Sequence, residues 1–330
     1  MRPTLAKAFL AVSLLAAGAV VYLALSPAGD ARPHPFNQDR NAVWLEHRWL
    51  ERDHPVSEME ELLRRLHAHG VRYLFPHLIP FNAAGRLPVH SREQMRRFLE
   101  TTRRVSPELQ VLPWVGGLRL GYRRQRVGTV DLPDLGQRQR IVAECRGLID
   151  EGFDGVHLNV EPVADGDVDF LALLRALRTA VGDKTLSISA IRPGPAQLPF
   201  APNFLWTPEY YARLGAIVDQ IVVMAYDTAL PTAPLYRRYA QWSAATVTRT
   251  LEAASPRVRV LLGVPTYDET GLMHRGHVEV PEHAIPGIVA GLRGLGAGGT
   301  FEGIALYAEW TTDAREWAVY ERLWRGRPAP

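Results

Sequence analysis

From Asn41 onward, eight short apolar runs alternate with eight amphipathic stretches, and that alternation leaves few folds open. The apolar runs that read as strands are Ala42–His47, Val71–Phe75, Gln110–Val115, Gly155–Glu161, Thr185–Ala190, Gln220–Tyr226, Val258–Val264 and Gly303–Tyr307. Helical spacing follows in Ser57–His69, Arg92–Arg104, Gly136–Asp150, Val168–Val181, Pro208–Leu214, Leu235–Ala254, Pro281–Gly294 and Thr312–Trp324. Ser57 with Glu60 three residues later has the spacing of a capping box for the first helix, and Gly70 closes it. Alternation of this kind implies parallel strands joined by right-handed crossovers. Eight units, with no G-x-G-x-x-G or Walker-type loop after the first strand, favour an α/β fold closed into a (β/α)8 TIM barrel over an open doubly wound sheet. A chain of 330 residues with 47% hydrophobic content suffices for one such barrel, which takes about 250 residues, and leaves little for a second domain.

Ahead of this region, Arg2 and Lys7 precede an uncharged apolar segment, Ala8 to Ser26, of roughly membrane-spanning length. Residues 1–26 therefore read as an export segment. Ala24-Leu25-Ser26 has the small residues of a cleavage site but Pro27 follows directly, and the length also suits an uncleaved anchor, so signal peptide and signal anchor both stay open. Residues 27–40, with Pro27, Pro33 and Pro35 among polar residues, read as a linker to a barrel over 41–330. The expected location is extracytoplasmic: the cell envelope, with the membrane as partner if the segment is retained, or secreted. A net charge of +3 with dispersed arginines gives no nucleic-acid footprint. Cys145 is the only cysteine, which excludes an intrachain disulfide, a lipobox or a zinc cluster, and its helical apolar neighbours predict a buried inert thiol.

The fourth strand carries the strongest chemical signal. Gly155-Val156-His157-Leu158-Asn159-Val160-Glu161 alternates, so His157, Asn159 and Glu161 share one face and the valines and leucine share the other. In a parallel barrel the polar face lines the interior, and chemistry sits at the carboxyl ends of strands, where Glu161 falls. The sixth strand likewise ends in a phenol and a carboxylate, at Met224-Ala225-Tyr226-Asp227.

These segments resemble glycoside hydrolase family 18. Asp154-Gly155-Val156-His157-Leu158-Asn159-Val160-Glu161 is similar to its Asp-Gly-x-Asp-x-Asp-x-Glu motif, and Met224-Ala225-Tyr226-Asp227 resembles its Met-x-Tyr-Asp motif. Gly263-Val264-Pro265-Thr266-Tyr267 resembles the seventh-strand Gly-x-Pro-x-Tyr, and Gly303–Tyr307 occupies the place of an eighth strand that ends in tryptophan in the family. The resemblance spans about Asn41 to Trp324.

The resemblance implies retaining hydrolysis beside an N-acetylhexosamine, in which the substrate's own acetamido oxygen attacks the anomeric carbon in place of a protein nucleophile. The implied substrate is an N-acetylated oligosaccharide or polysaccharide, and no cofactor is implied. Glu161 matches the single acid, which protonates the leaving oxygen and then deprotonates water, with a pKa raised by burial. Asn159 stands where the family has the aspartate that orients the acetamido group; its carbonyl oxygen suits the acetamido N–H, and endo-β-N-acetylglucosaminidases of a related family share the Asn-x-Glu. Tyr226 is expected to hydrogen-bond the acetamido oxygen, with Asp227 close to sugar hydroxyls. His157 replaces an aspartate that shares a proton with its neighbour, which imidazole and amide cannot repeat. It reads either as an orienting group beneath Asn159, whose protonation below about 6.5 would favour ionised Glu161, or as the mark of a site that binds sugar without turnover.

Further substrate contacts are expected from aromatic rings at or just after strand ends: Trp44, Trp114, Tyr267, Tyr307 and Trp310, beside Tyr226. Glu46 and Glu309 also fall near strand ends, Glu46 as a substrate-binding group. Either one, or Asp227, would pair with Glu161 in a conventional two-carboxylate glycosidase. His274, His277 and His283 lie in a glycine-containing loop without helical register, which disfavours a metal site. That loop is too short for the α+β insertion that walls the groove of many family 18 chitinases, so a shallower, endo-type cleft is expected. Arg192–Pro208, with Phe200, Phe204 and Trp206, is long enough for one wall. A non-hydrolytic carbohydrate-binding barrel is the reading from a different functional class.

Overall fold

The computed structural model describes residues 34–78, 80–88, 91–120, 128–194, 205–295 and 299–327. Its strands are β1 (Asn41–Leu45), β2 (Val71–Pro76), β3 (Gln110–Val111), β4 (Trp114–Leu118), β5 (Gly155–Glu161), β6 (Thr185–Ala190), β7 (Gln220–Val223), β8 (Arg259–Pro265) and β9 (Phe301–Tyr307). They form one sheet in the order β3-β2-β1-β9-β8-β7-β6-β5-β4, and every pairing is parallel. The two ends of that order are halves of one chain run. Leu112 and Pro113 separate β3 from β4, and a proline cannot donate to the ladder. The Leu112 N–H still donates to Leu74, and the Pro113 carbonyl accepts from His157, at 2.9 Å each. His77 bridges to Trp114, so the run meets β2 on one side and β5 on the other. The sheet thereby curls into a TIM-barrel-like α/β domain.

The helices are α1 (Arg48–Glu51), α2 (Val56–Ala68), α3 (Arg92–Val105), α4 (Leu135–Asp150), α5 (Val168–Val181), α6 (Pro208–Gly215), α7 (Ala233–Ala254), α8 (Pro281–Leu292) and α9 (Ala314–Leu323). The expected capping box at Ser57 does not form: Pro55 is the N-cap, Ser57 lies inside α2, and Glu60 pairs instead with Arg64 and Arg104. A proline there fixes φ and leaves the first turn without a side-chain acceptor. A capping box does form at α9, where Asp313 accepts from the Glu316 N–H and Glu316 accepts from the Asp313 N–H.

Two apolar clusters follow from strand alternation. The larger lies between sheet and helices and holds Val156, Leu158 and Val160 of β5 with Ile141, Cys145, Phe170 and Leu174. Burial pushes the Cys145 thiol up to about 12, which makes it a packing group. The smaller cluster fills the inside of the sheet with Trp44, Tyr73, Phe75, Leu112, Val222 and Leu261. The expected linker ends against the domain: Phe36 is buried and the Gln38 amide donates to the Phe301 carbonyl at 3.1 Å. No helix among the described residues is long and apolar enough to cross a membrane, and the apolar segment 8–26 lies outside them.

Candidate active site

Register places the polar face of β5 at the mouth of the sheet. Trp114 pairs with His157, Gly116 with Asn159 and Leu118 with Glu161. Gly116, at φ +154°, has to be glycine, because a Cβ there would come within 1.7 Å of the Asn159 carbonyl oxygen. Asn159 and Glu161 open into a cavity of about 110 Å³ that Ser189, Met224, Tyr226 and Asp227 also line, with Trp44, Trp114 and Tyr307 as aromatic walls. Seven of the expected site residues thus meet in one pocket: Asn159, Glu161, Tyr226, Asp227, Tyr307, Trp114 and Trp44.

The Asn159 amide nitrogen donates to Glu161 Oε2 at 3.4 Å. Its carbonyl oxygen is buried with no hydrogen-bond partner among the described residues. Desolvation raises the Glu161 carboxyl above its ordinary range; the Asn159 contact opposes this, the Asp227 charge adds to it and Arg192 opposes it. A carboxylic acid with that balance retains its proton to higher pH than a solvated one. The Tyr226 ring stacks on Tyr307 at 5.5 Å and meets Tyr267 edge-on at 6.2 Å. Gly263 of the seventh-strand motif makes room for it, since a Cβ there would lie 2.8 Å from the Tyr226 ring. Burial holds the Tyr226 phenol well above its usual pKa, so it stays neutral.

Asp227 has φ +56° and so sits in the left-handed region. Its N–H donates to Glu279 Oε2 at 2.5 Å, and its Oδ1 accepts from the Tyr267 hydroxyl at 2.5 Å. His274 Nδ1 lies 3.2 Å from the same Oδ1 and 3.3 Å from Glu279 Oε2. Burial alone would raise Asp227; the His274 and Tyr267 contacts and the Arg192 charge outweigh it and hold the carboxyl below its usual range. Tyr267, expected as a stacking platform, acts here as a donor to Asp227.

His157 lies under the pocket, fully buried and stacked flat on Phe75 at 4.0 Å. The Ser187 hydroxyl donates to Gln220 Oε1 at 2.7 Å, so it accepts from the His157 Nδ1–H, also at 2.7 Å. That leaves Nε2 to accept from the Ser189 hydroxyl at 2.9 Å. Burial lowers the His157 pKa to about 3. The expected protonation near 6.5 therefore does not occur in the fold, and the ring's hydrogen bonds run to serines instead of to Asn159 or Glu161.

Other expected groups lie outside the cavity. Glu46 does not line the cavity but pairs with Arg48 at 3.0 Å, and Glu309, itself buried, also lies outside the lining and pairs with Arg65 at 2.7 Å. Trp310 is exposed and meets the pocket wall residue Tyr307 edge-on at 5.9 Å. Trp206 is buried and donates to the Val163 carbonyl at 2.9 Å, so it packs the domain instead of walling a cleft, while Phe200 and Phe204 lie outside the described residues. The loop histidines do not converge: His274 turns in to Asp227, whereas His277 and His283 line a separate cleft of about 640 Å³. Asp227, His274 and Glu279 do bring three possible ligand atoms within 4.8 Å of one another, with His274 Nδ1 at ion-pair distance from both carboxylates. Ser189 and Glu279 carry no expectation from sequence, Arg192 enters there only as the start of a loop and His274 only as a disfavoured metal ligand; Arg192, His274 and Glu279 act from loops without periodic pattern.

No curated protein sequence matches the chain significantly. Among solved structures, the spore cortex-lytic enzyme SleL of Bacillus cereus matches with a TM-score of 0.55 at 13% identity, over 86% of this chain and 74% of that one. SleL of Bacillus megaterium gives 0.56 at 12% identity over 88% and 75%, and a chitinase of Chromobacterium violaceum gives 0.52 at 15% over 85% and 98%. At such identities these likenesses concern the fold. The sequence profile of glycosyl hydrolases family 18 matches residues 62–324, a span that holds β5 with its terminal glutamate, the Tyr226–Asp227 pair and the β8 glycine that admits the tyrosine ring. The chain belongs to glycosyl hydrolases family 18.

Proposed function

We propose that this protein hydrolyses N-acetylglucosamine-containing glycans by the substrate-assisted retaining route, with Glu161 as the acid and base. The observation that carries this reading is the Asn159 carbonyl oxygen, buried and without a hydrogen-bond partner among the described residues, on a side chain that lines the same pocket as Glu161 and Tyr226. An unmade hydrogen bond of that kind is costly unless a ligand completes it, and an acetamido N–H is a donor of the right type. At about 110 Å³ the cavity is smaller than the roughly 300–1,000 Å³ of sites that enclose a whole ligand. It suits a substituent such as the N-acetyl group, with the sugar ring lying above against Trp114 and Tyr307.

In this scheme Asn159 accepts the acetamido N–H and Tyr226 donates to the acetamido oxygen, aligning that oxygen with the anomeric carbon. Glu161 gives its proton to the leaving oxygen and takes one from the incoming water. Among the described residues Asp227 is the other carboxylate lining the pocket, and its Oδ1 is already engaged by Tyr267 and His274, which favours an orienting role over that of nucleophile. Residues 266–280 join β8 to α8 with no further helix or strand, consistent with a shallow cleft open to polymers. Chitin oligomers, peptidoglycan and N-glycans all present the required group. The apolar segment 8–26 supports an extracytoplasmic site of action, anchored or released. The test is turnover by the full chain of chitooligosaccharides, muropeptides and N-glycans, each beside its de-N-acetylated counterpart. Cleavage of the acetylated member alone supports the scheme; equal cleavage of both points to two carboxylates, and binding without cleavage to a sugar-binding barrel.

A further inference from the structure

Asp227 is held from behind by groups that this scheme does not use. Glu279, fully buried, accepts from the Asp227 N–H at 2.5 Å and from the Thr228 N–H and hydroxyl at 3.0 and 2.8 Å. His274 comes in from the loop between β8 and α8, its ring stacked on Tyr267 at 4.0 Å. Its Nε2 lies 3.2 Å from the Tyr267 carbonyl oxygen, which can only accept, so Nε2 carries a hydrogen. Its Nδ1 lies 3.2 Å from Asp227 Oδ1 and 3.3 Å from Glu279 Oε2. These are ion-pair contacts and neither is aligned as a hydrogen bond; a bare nitrogen lone pair held that close to two carboxylate oxygens is still electrostatically unfavourable, which favours a hydrogen on Nδ1 as well and a cationic ring.

We propose that His274 is a positioning residue of the hydrolysis, an imidazolium clamped between Asp227 and Glu279 that keeps the Asp227 carboxylate ionised and oriented at the edge of the pocket. The proposal rests on the reading of Glu161 and Asp227 above. Burial by itself would lower the His274 pKa, but Asp227 and Glu279 together raise it to about 9. The other groups facing the cluster are Arg192 beyond β6, which also favours ionised Asp227, Glu161 across the pocket, and the neutral phenols of Tyr226, Tyr267 and Tyr307 at the pocket and of Tyr236 and Tyr239 on α7. Without the imidazolium, the fully buried Glu279 and the half-exposed Asp227 would face each other as two carboxylates with no cation between them. Glu279 keeps its three donors, so Asp227 is the one to take up a proton. It would then cease to be a pure acceptor for substrate hydroxyls and for Tyr267, and would cease to raise Glu161.

The experiment combines two readouts on the full chain. The first is a heteronuclear NMR titration of the His274 ring in the wild type and in Glu279→Gln. A wild-type ring protonated well above pH 6.5, with a lower pKa in Glu279→Gln, supports the clamp; titration near 6.5, or no change in the variant, overturns it. The second is kcat and KM against pH for the wild type and His274→Gln on whichever glycan the wild type cleaves. The expected result is a kcat about 10²-fold lower with KM little changed, and an acidic limb moved up by about 1–3 pH units. A limb that stays in place overturns the proposal. So does one equivalent of tightly bound metal in the purified protein with activity lost to a chelator, since His274 would then be a ligand. A wild type that cleaves nothing refutes the proposed function, while the NMR titration still decides the state of His274.

Discussion

Asn159 donates to Glu161 through its amide nitrogen while its buried carbonyl oxygen has no hydrogen-bond partner among the described residues, so one side chain steadies the acid and holds an unused acceptor beside the pocket. Asn159→Asp removes the donor and sets a like charge beside Glu161. Both changes raise the Glu161 pKa. Because Glu161 must be protonated for the first step, the alkaline limb of kcat/KM is expected to move to higher pH by about one unit or more. An unmoved limb would show that the 3.4 Å contact does not tune the acid.

Glu161→Gln preserves shape and removes the proton. Turnover is expected to drop by about 10²–10⁴-fold, the range lost with a general acid–base group, while affinity for an uncleaved oligosaccharide persists. Turnover close to wild type would take the acid role away from Glu161 and leave Asp227 as the alternative in this pocket.

How far these residues were legible in sequence depends on periodicity. The polar face of β5 follows from a period of two, and Gly116 and Asn159 meet because register then fixes every partner. Strand ends were legible only to within a few residues: the β7 ladder stops at Val223 although the apolar run continues to Ala225, because the chain leaves the sheet to reach the left-handed turn at Asp227. Proximity to a strand end says how far along the barrel a side chain lies but not which way it points. That is why Glu46 and Glu309, both next to strand ends, proved to be bound by arginines outside the cavity. His274 and Glu279 were illegible for a different reason. Their partners lie about 50 residues away in an irregular turn, and no spacing rule connects them.

If the acetamido oxygen is the nucleophile, a thiazoline analogue of the bicyclic intermediate should inhibit competitively and bind more tightly than the parent N-acetylglucosaminide, as expected of a compound resembling a state beyond the ground state. Asn159→Leu, which removes the buried acceptor, should weaken that inhibitor more than it weakens a ligand lacking the acetamido group. Equal losses for the two ligands would detach Asn159 from the acetamido group.

Stability should pass through a maximum near pH 6.5, because two histidines are shifted in opposite directions. His157 has a folded pKa of about 3, below its ordinary 6.5. Between those values the unfolded chain binds a proton that the fold rejects, so stability falls as pH drops below 6.5. His274 has a folded pKa of about 9. Its contribution is fully present below 6.5 and is lost as pH rises through 9. Asp227, held below its usual range, adds to the acid loss. Each unit of difference between the folded and unfolded pKa is worth about 1.4 kcal/mol for a fully buried group, enough to read in a urea midpoint. His157→Gln should flatten the acid side of the midpoint curve and leave the alkaline side in place, whereas His274→Gln should flatten the alkaline side and also remove the part of the acid loss that comes from Asp227, whose carboxyl the imidazolium holds low. A wild-type midpoint that stays level from pH 6.5 down towards 3 would mean that His157 can take a proton inside the fold, and with it that the serine pair and the Phe75 stack do not exclude the charged ring.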